Sequence, residues 1–168
     1  MARRTRPCRA PLSESIDTID AAAIDPAEFA NMVYAASDEQ LEASLLAARE
    51  LILGEIFRRI EEHFDPWKAE GVEGVIHWKI TGREDGGYDH YQVVIREGSC
   101  EVERDGTENP RTTFEVHAVS FVRLVAGDAA GMRLFLSGSL RIDGDKRFAL
   151  KAQRCFRFPK PSAVERAA

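Results

Sequence analysis

Apolar residues recur at three- and four-residue intervals along one stretch of the chain. Leu41, Leu45, Ala48, Ile52, Ile56 and Ile60 are joined by Leu53, Phe57 and Phe64, with Glu and Arg between them. This is the period of an amphipathic helix, and it predicts the longest helix of the chain, about seven turns, ending near Asp65 and Pro66. Its start is marked by Ser37 and Gln40, which stand at capping-box spacing. A shorter helix precedes it, with Asp25 as cap, Pro26 at the first helical position and Phe29, Met32 and Val33 as its apolar edge.

From Gly71 the period drops to two, the spacing of half-buried strands. Ile76, Trp78 and Ile80 share one face of the first strand, and Tyr91, Val93 and Ile95 share one face of the second. Cys100 and Val102 lead a third, and Phe114 and Val116 mark a fourth. Glycine-rich turns at 82–87 and 97–99 and a loop at 105–110 separate them, which predicts an antiparallel meander. A short helix follows over 119–125, with Phe121, Leu124 and Val125 inward, stopped by Gly127. The segment 135–156 then reads as a strand running into a helix. Leu140 and Ile142 oppose Ser139, Arg141 and Asp143, Gly144 ends the strand, and Asp145 caps the helix. On that helix Phe148, Ala152, Cys155 and Phe156 form an apolar stripe beside a basic one of Arg147, Lys151 and Arg154. Such a helix is shaped to cover an apolar surface.

Strands with helices before and after them predict an α+β fold. The 168 residues fit a single domain, expected over 25–158, between a flexible basic leader at 1–24 and a tail at 159–168. The net charge of −5 is unevenly spread: residues 11–145 carry 12 basic and 27 acidic residues. An acidic body argues against nucleic acid as a partner. Cys8, Cys100 and Cys155 are odd in number and widely separated, so neither a disulfide framework nor a zinc site is expected. No apolar run of signal-peptide or membrane-spanning length follows the basic start, and a soluble, cytoplasmic chain is expected.

No catalytic set stands out, and an enzyme is not expected. A calcium loop at Asp143 would need a Glu ligand where Arg154 stands. His77, His90 and His117 show no metal-ligand spacing, although adjacent strands would bring them close. Asp89 beside His90 would make an acid/base pair, but neighbouring strand residues point to opposite faces. The glycines match no dinucleotide or phosphate-binding loop and the serines no nucleophile elbow, so no cofactor is expected. What remains is a distributed apolar signal: Trp78, Ile80, Tyr91, Phe114, Phe121, Leu134, Phe135, Leu140, Phe148 and Phe156. Each alone reads as core, because periodicity does not separate core from cavity wall.

The spacings Phe121-x-x-Leu124-x-x-Gly127 and Phe135-x-x-Gly138-x-Leu140-x-Ile142-x-Gly144-Asp145, followed by an apolar-basic helix, resemble the sterol carrier protein 2 family over residues 41–158. Residues 25–37 resemble the lead-in of bacterial members, while Ser139 and Ser120 depart from the lysine and the acidic residue found in many of them. The resemblance implies a five-stranded, mainly antiparallel sheet covered by helices, with a hydrophobic tunnel between them for a sterol, fatty acid or fatty acyl ligand. The ten apolar residues above are then candidate wall positions. Arg147, Lys151 and Arg154 are candidates for transient contact with headgroups or a membrane surface, against the plainer reading of a solvated helix face. Two alternatives to a carrier stand beside it: a protein-interaction module with a filled core, and, less favoured, a small enzyme using the histidines.

Overall fold

A computed structural model describes residues 24–158. The expected leader, apart from Ile24, and the expected tail lie outside the described residues. The elements run α1 (Pro26–Ala35), α2 (Asp38–Glu62), a 3-10 turn (Pro66–Ala69), β1 (Gly74–Thr81), β2 (Asp89–Arg96), β3 (Ser99–Arg104), β4 (Thr112–His117), α3 (Ala118–Val125), α4 (Gly131–Leu136), β5 (Leu140–Gly144) and α5 (Lys146–Gln153).

Local capping chemistry sets the helix starts. The Asp25 carboxylate accepts from the N–H of Ala27 and Glu28, and Ser37 and Gln40 form a reciprocal capping box. Asp145 accepts from the N–H of Phe148 at 2.9 Å. Two features depart from the sequence pattern. The long helix breaks its regular geometry at Ala48 (φ −144°, ψ 35°), next to Arg49, whose guanidinium donates to the carbonyls of Ile80, Thr81 and Gly82. The segment 131–136 is helical, where only a strand was expected after Gly127.

The sheet order is β3-β2-β1-β4-β5, which corrects the predicted meander. Strands β1 to β3 are antiparallel neighbours, but β4 lies parallel to β1 on its other side. The loop after β3 therefore has to cross the sheet. Gln92 holds it there: its side chain is buried against Gly106 and accepts from the Glu108 N–H at 2.8 Å. Strand β5 closes the sheet antiparallel to β4, pairing Leu140 with Val116 and Ile142 with Phe114.

The core lies between one sheet face and the helices. Phe57 of α2 stacks on Tyr91 at 3.8 Å between ring centroids and on Phe121 of α3 at 5.2 Å. After α5 the chain folds back on the end of α2. Asp65 N–H donates to the Cys155 carbonyl, Arg157 N–H to the His63 carbonyl, and the Arg157 guanidinium pairs with the Asp65 carboxylate at 2.6 Å.

Candidate functional site

Where β1, β4 and β5 meet α3, α4 and α5, the side chains do not close on one another. They leave an apolar recess of about 210 Å³. Its floor is strand side chains: Ile76 and Trp78, Phe114, Leu140 and Ile142. Register explains the floor, because Trp78, Phe114 and Ile142 stand side by side across three strands, with the Trp78 and Phe114 rings stacked at 4.5 Å. The roof is Phe121, Leu124 and Val125 of α3, Gly131, Met132 and Phe135 of α4, and one face of α5; Phe156 and Phe158 also line it.

Six of the sequence-predicted wall residues line this recess: Trp78, Phe114, Phe121, Phe135, Leu140 and Phe156. Four do not. Ile80 is wholly buried at 0% exposure, and Tyr91 is taken up by Phe57. Phe148 lies beneath the Arg111 guanidinium, 4.6 Å from ring centroid to cation. Leu134 packs against the core away from the recess. The apolar stripe expected on the last helix is corrected for the same reason. Phe148, Ala152 and Cys155 are packed into the core, and the α5 face on the recess is Lys146, Ala149, Leu150 and Gln153. That set also follows helical spacing. Its two ends, Lys146 and Gln153, are polar.

Lys146 and Gln153 supply the charged or amide groups of the wall among the described residues. The Lys146 Nζ sits 5.7 Å from the centre of the Phe135 ring. Arg147, Lys151 and Arg154 are exposed and outside the recess. They make no ion pair among the described residues, whereas Arg49 pairs with Asp89 and Arg111 with Asp145. Arg133 and Lys146 share this unpaired state, and α4 and α5 carry no acidic residue.

The histidines lie elsewhere. His77 and His90 meet on the opposite face of the sheet, ring centroids 4.5 Å apart, with His77 Nε2 3.3 Å from the Gln92 amide oxygen. Burial, and then the neighbouring His77, hold the His90 pKa below its ordinary value. His117 lines a separate polar cleft with Arg49, Arg83, Asp89 and Arg104. Asp89 there is 6% exposed and pairs with Arg49 at 2.7 Å, so Asp89 and His90 face opposite ways. Among the described residues no cluster has the ligands to hold a metal ion, and no helix is long and apolar enough to cross a membrane.

A mixed five-stranded sheet, roofed on one face by helices around an apolar recess, defines a small α+β domain. Residues 53–157 match the model of the SCP-2 sterol transfer family, and the chain belongs to that family. Membership points to lipid binding or transfer. Among solved structures, the fold is similar to part of the stereoselective inverting sec-alkylsulfatase Pisa1 from Pseudomonas sp., with a TM-score of 0.54 and 16% identity over 65% of this chain. This chain spans 17% of that protein's length. It is also similar to palmitated SCP2L2 from Aedes aegypti, with a TM-score of 0.50 and 20% identity over 66% of this chain and 96% of that one. No curated protein sequence matches.

Proposed function

We propose that this protein binds and carries a hydrophobic ligand in the recess between its sheet and α3, α4 and α5. The observation that carries the reading is an open space of about 210 Å³ walled by aromatic and aliphatic side chains, in a chain of a lipid-transfer family. Burying a lipid chain gains roughly 0.8 kcal/mol per methylene, so affinity comes from the wall itself and needs few polar contacts.

The size favours an acyl chain over a sterol. The recess exceeds the roughly 150 Å³ of an engineered cavity that takes up benzene, but is smaller than the roughly 300 Å³ at which drug-sized pockets begin. A fatty acyl tail enters such a space segment by segment, whereas a rigid sterol needs α4 and α5 to move apart. The palmitated Aedes aegypti protein of the same fold is consistent with this preference. The unpaired stripe of Arg147, Lys151 and Arg154 supports transient contact with an anionic membrane during loading, and salt-independent co-sedimentation with vesicles of any charge would remove that part.

The test is direct. Purified protein is offered Nile red and then extracted for mass spectrometry of co-purified lipid. The carrier reading expects saturable Nile red binding that fatty alcohols and acids displace. A protein that takes up neither probe nor lipid is instead a filled interaction module, the reading favoured by the stacked rings of Phe57, Tyr91 and Phe121.

A further inference from the structure

Helix α5 places Lys146 at one end of its recess-facing row and Gln153 at the other, with Ala149 and Leu150 between them. Everything else around the space is aliphatic, aromatic, glycine or the thioether of Met132. Lys146 is therefore the positive charge of a wall that is otherwise almost without polarity. Its ammonium lies over the Phe135 ring, itself a wall residue. It has no carboxylate partner among the described residues. The nearest acid in sequence, Asp145, is already committed: it caps the N–H of Phe148 and pairs with Arg111 at 3.0 Å. The cap first, and then Arg111 against the cost of burial, keep the Asp145 carboxyl ionised below its usual range, and both interactions hold it in place.

An unpaired ammonium at the edge of an apolar space is a stable arrangement while water reaches it. When a ligand tail fills the recess, the cation gains most from an anionic group at the end of that tail, because the charge-assisted contact forms where water is partly excluded. Neutral heads gain nothing comparable, and a cationic head is repelled. From this juxtaposition we propose that Lys146 selects the ligand class: a single-chain amphiphile with an anionic head, of which a medium- or long-chain carboxylate is the simplest, bound with its head at Lys146 and its tail against Trp78 and Phe114. This rests on the carrier reading and narrows it. Gln153, at the far end of the row, is an amide and does not discriminate by charge.

The experiment measures displacement of bound Nile red, a neutral probe, by dodecanoate, dodecanol and dodecylamine. It compares the full-length wild-type chain with K146Q, K146E and R133Q. Arg133 is exposed on α4, outside the recess, and unpaired like Lys146, so it controls for the general positive field. The wild type and R133Q are expected to bind dodecanoate about tenfold more tightly than dodecanol, the order of one charge-assisted hydrogen bond. In K146Q that ratio falls close to one through loss of dodecanoate affinity, and in K146E the order reverses in favour of dodecylamine. A wild type without carboxylate preference, or a preference that survives in K146Q or is lost equally in R133Q, overturns the role of Lys146 while leaving the carrier reading intact. Failure of all three amphiphiles to displace the probe, or of the probe to bind, overturns both. Since Lys146 is exposed at the first turn of α5, a circular dichroism melt matching wild type shows that the variants fold.

Discussion

Beneath α2, Phe57, Tyr91 and Phe121 stack ring on ring at centroid distances of 3.8 and 5.2 Å. Beneath α4 and α5, Trp78, Phe114, Phe135 and Phe156 stand around about 210 Å³ of open space. The floors of the two regions are alike, both made of aromatic and branched residues on adjacent strands. The roofs differ. The long helix sends Phe57 and Leu53 down into the sheet, both almost fully buried, whereas α4 and α5 line the recess with Gly131, Met132 and Phe135 and with Lys146, Ala149, Leu150 and Gln153. Both regions are rich in aromatic rings, so aromatic content alone does not reveal which of them is open.

The contrast has measurable consequences. The largest belongs to the filled region: Phe57→Ala should cost about 3–5 kcal/mol of stability in denaturant titration, the usual penalty for a cavity in a packed aromatic core. A cost near zero would mean that this region is as open as the other. Next comes a pair of enlargements on adjoining faces of α5. Ala149→Phe should fill the recess and weaken Nile red uptake by roughly tenfold or more with little change in melting temperature. Ala152→Phe, directed into packed core, should cost about 1–3 kcal/mol. Equal stability losses in the two would erase the distinction between the regions.

A third consequence is acid sensitivity of α2, which roofs the filled region. Arg58 first, and Arg59 beyond it, hold the Glu55 carboxyl down to about 2 from an ordinary 4.5 against the opposing effect of burial. A carboxylate whose folded pKa is depressed stabilises the fold above its unfolded pKa, and that stabilisation is lost as pH falls from about 4.5 towards about 2. Glu55→Gln should be less stable than wild type at pH 7 and converge with it near pH 2 in denaturant titrations; a constant gap would remove Glu55 from the account. The smallest effect is optical. Trp67 is 91% exposed and Trp78 lines the recess, so in W67F the remaining indole reports on the open region alone. Saturating dodecanol should shift its emission to the blue with the midpoint seen in Nile red displacement. An unresponsive Trp78 would place bound ligand elsewhere.

Much of the architecture was legible in the chain because it rests on short-range physics. The caps at Asp25, Ser37 and Asp145, the two-residue period of β1 and β2, and the stop at Gly144 are each decided within a few residues, and each is found where the pattern places it. Of the expected wall residues, Trp78, Phe114 and Leu140 line the recess because side chains on the inward face of a strand have to meet either a partner or a cavity, and Phe121, Phe135 and Phe156 reach it from the helical side. Ile80, Tyr91, Leu134 and Phe148 carried the same signal and met partners instead.

The remainder was settled by long-range packing. The parallel pairing of β4 with β1 depends on a crossing loop held by Gln92 and the Glu108 N–H, residues far apart in sequence with no shared period. Which stripe of α5 looks at the recess depends on how far the helix rolls over the sheet, and a roll of one stripe exchanges Phe148 and Ala152 for Ala149 and Leu150. Periodicity fixes which residues share a face because it is a property of one element. Whether that face meets atoms or empty space is a property of two elements together, and only the assembled tertiary structure decides it.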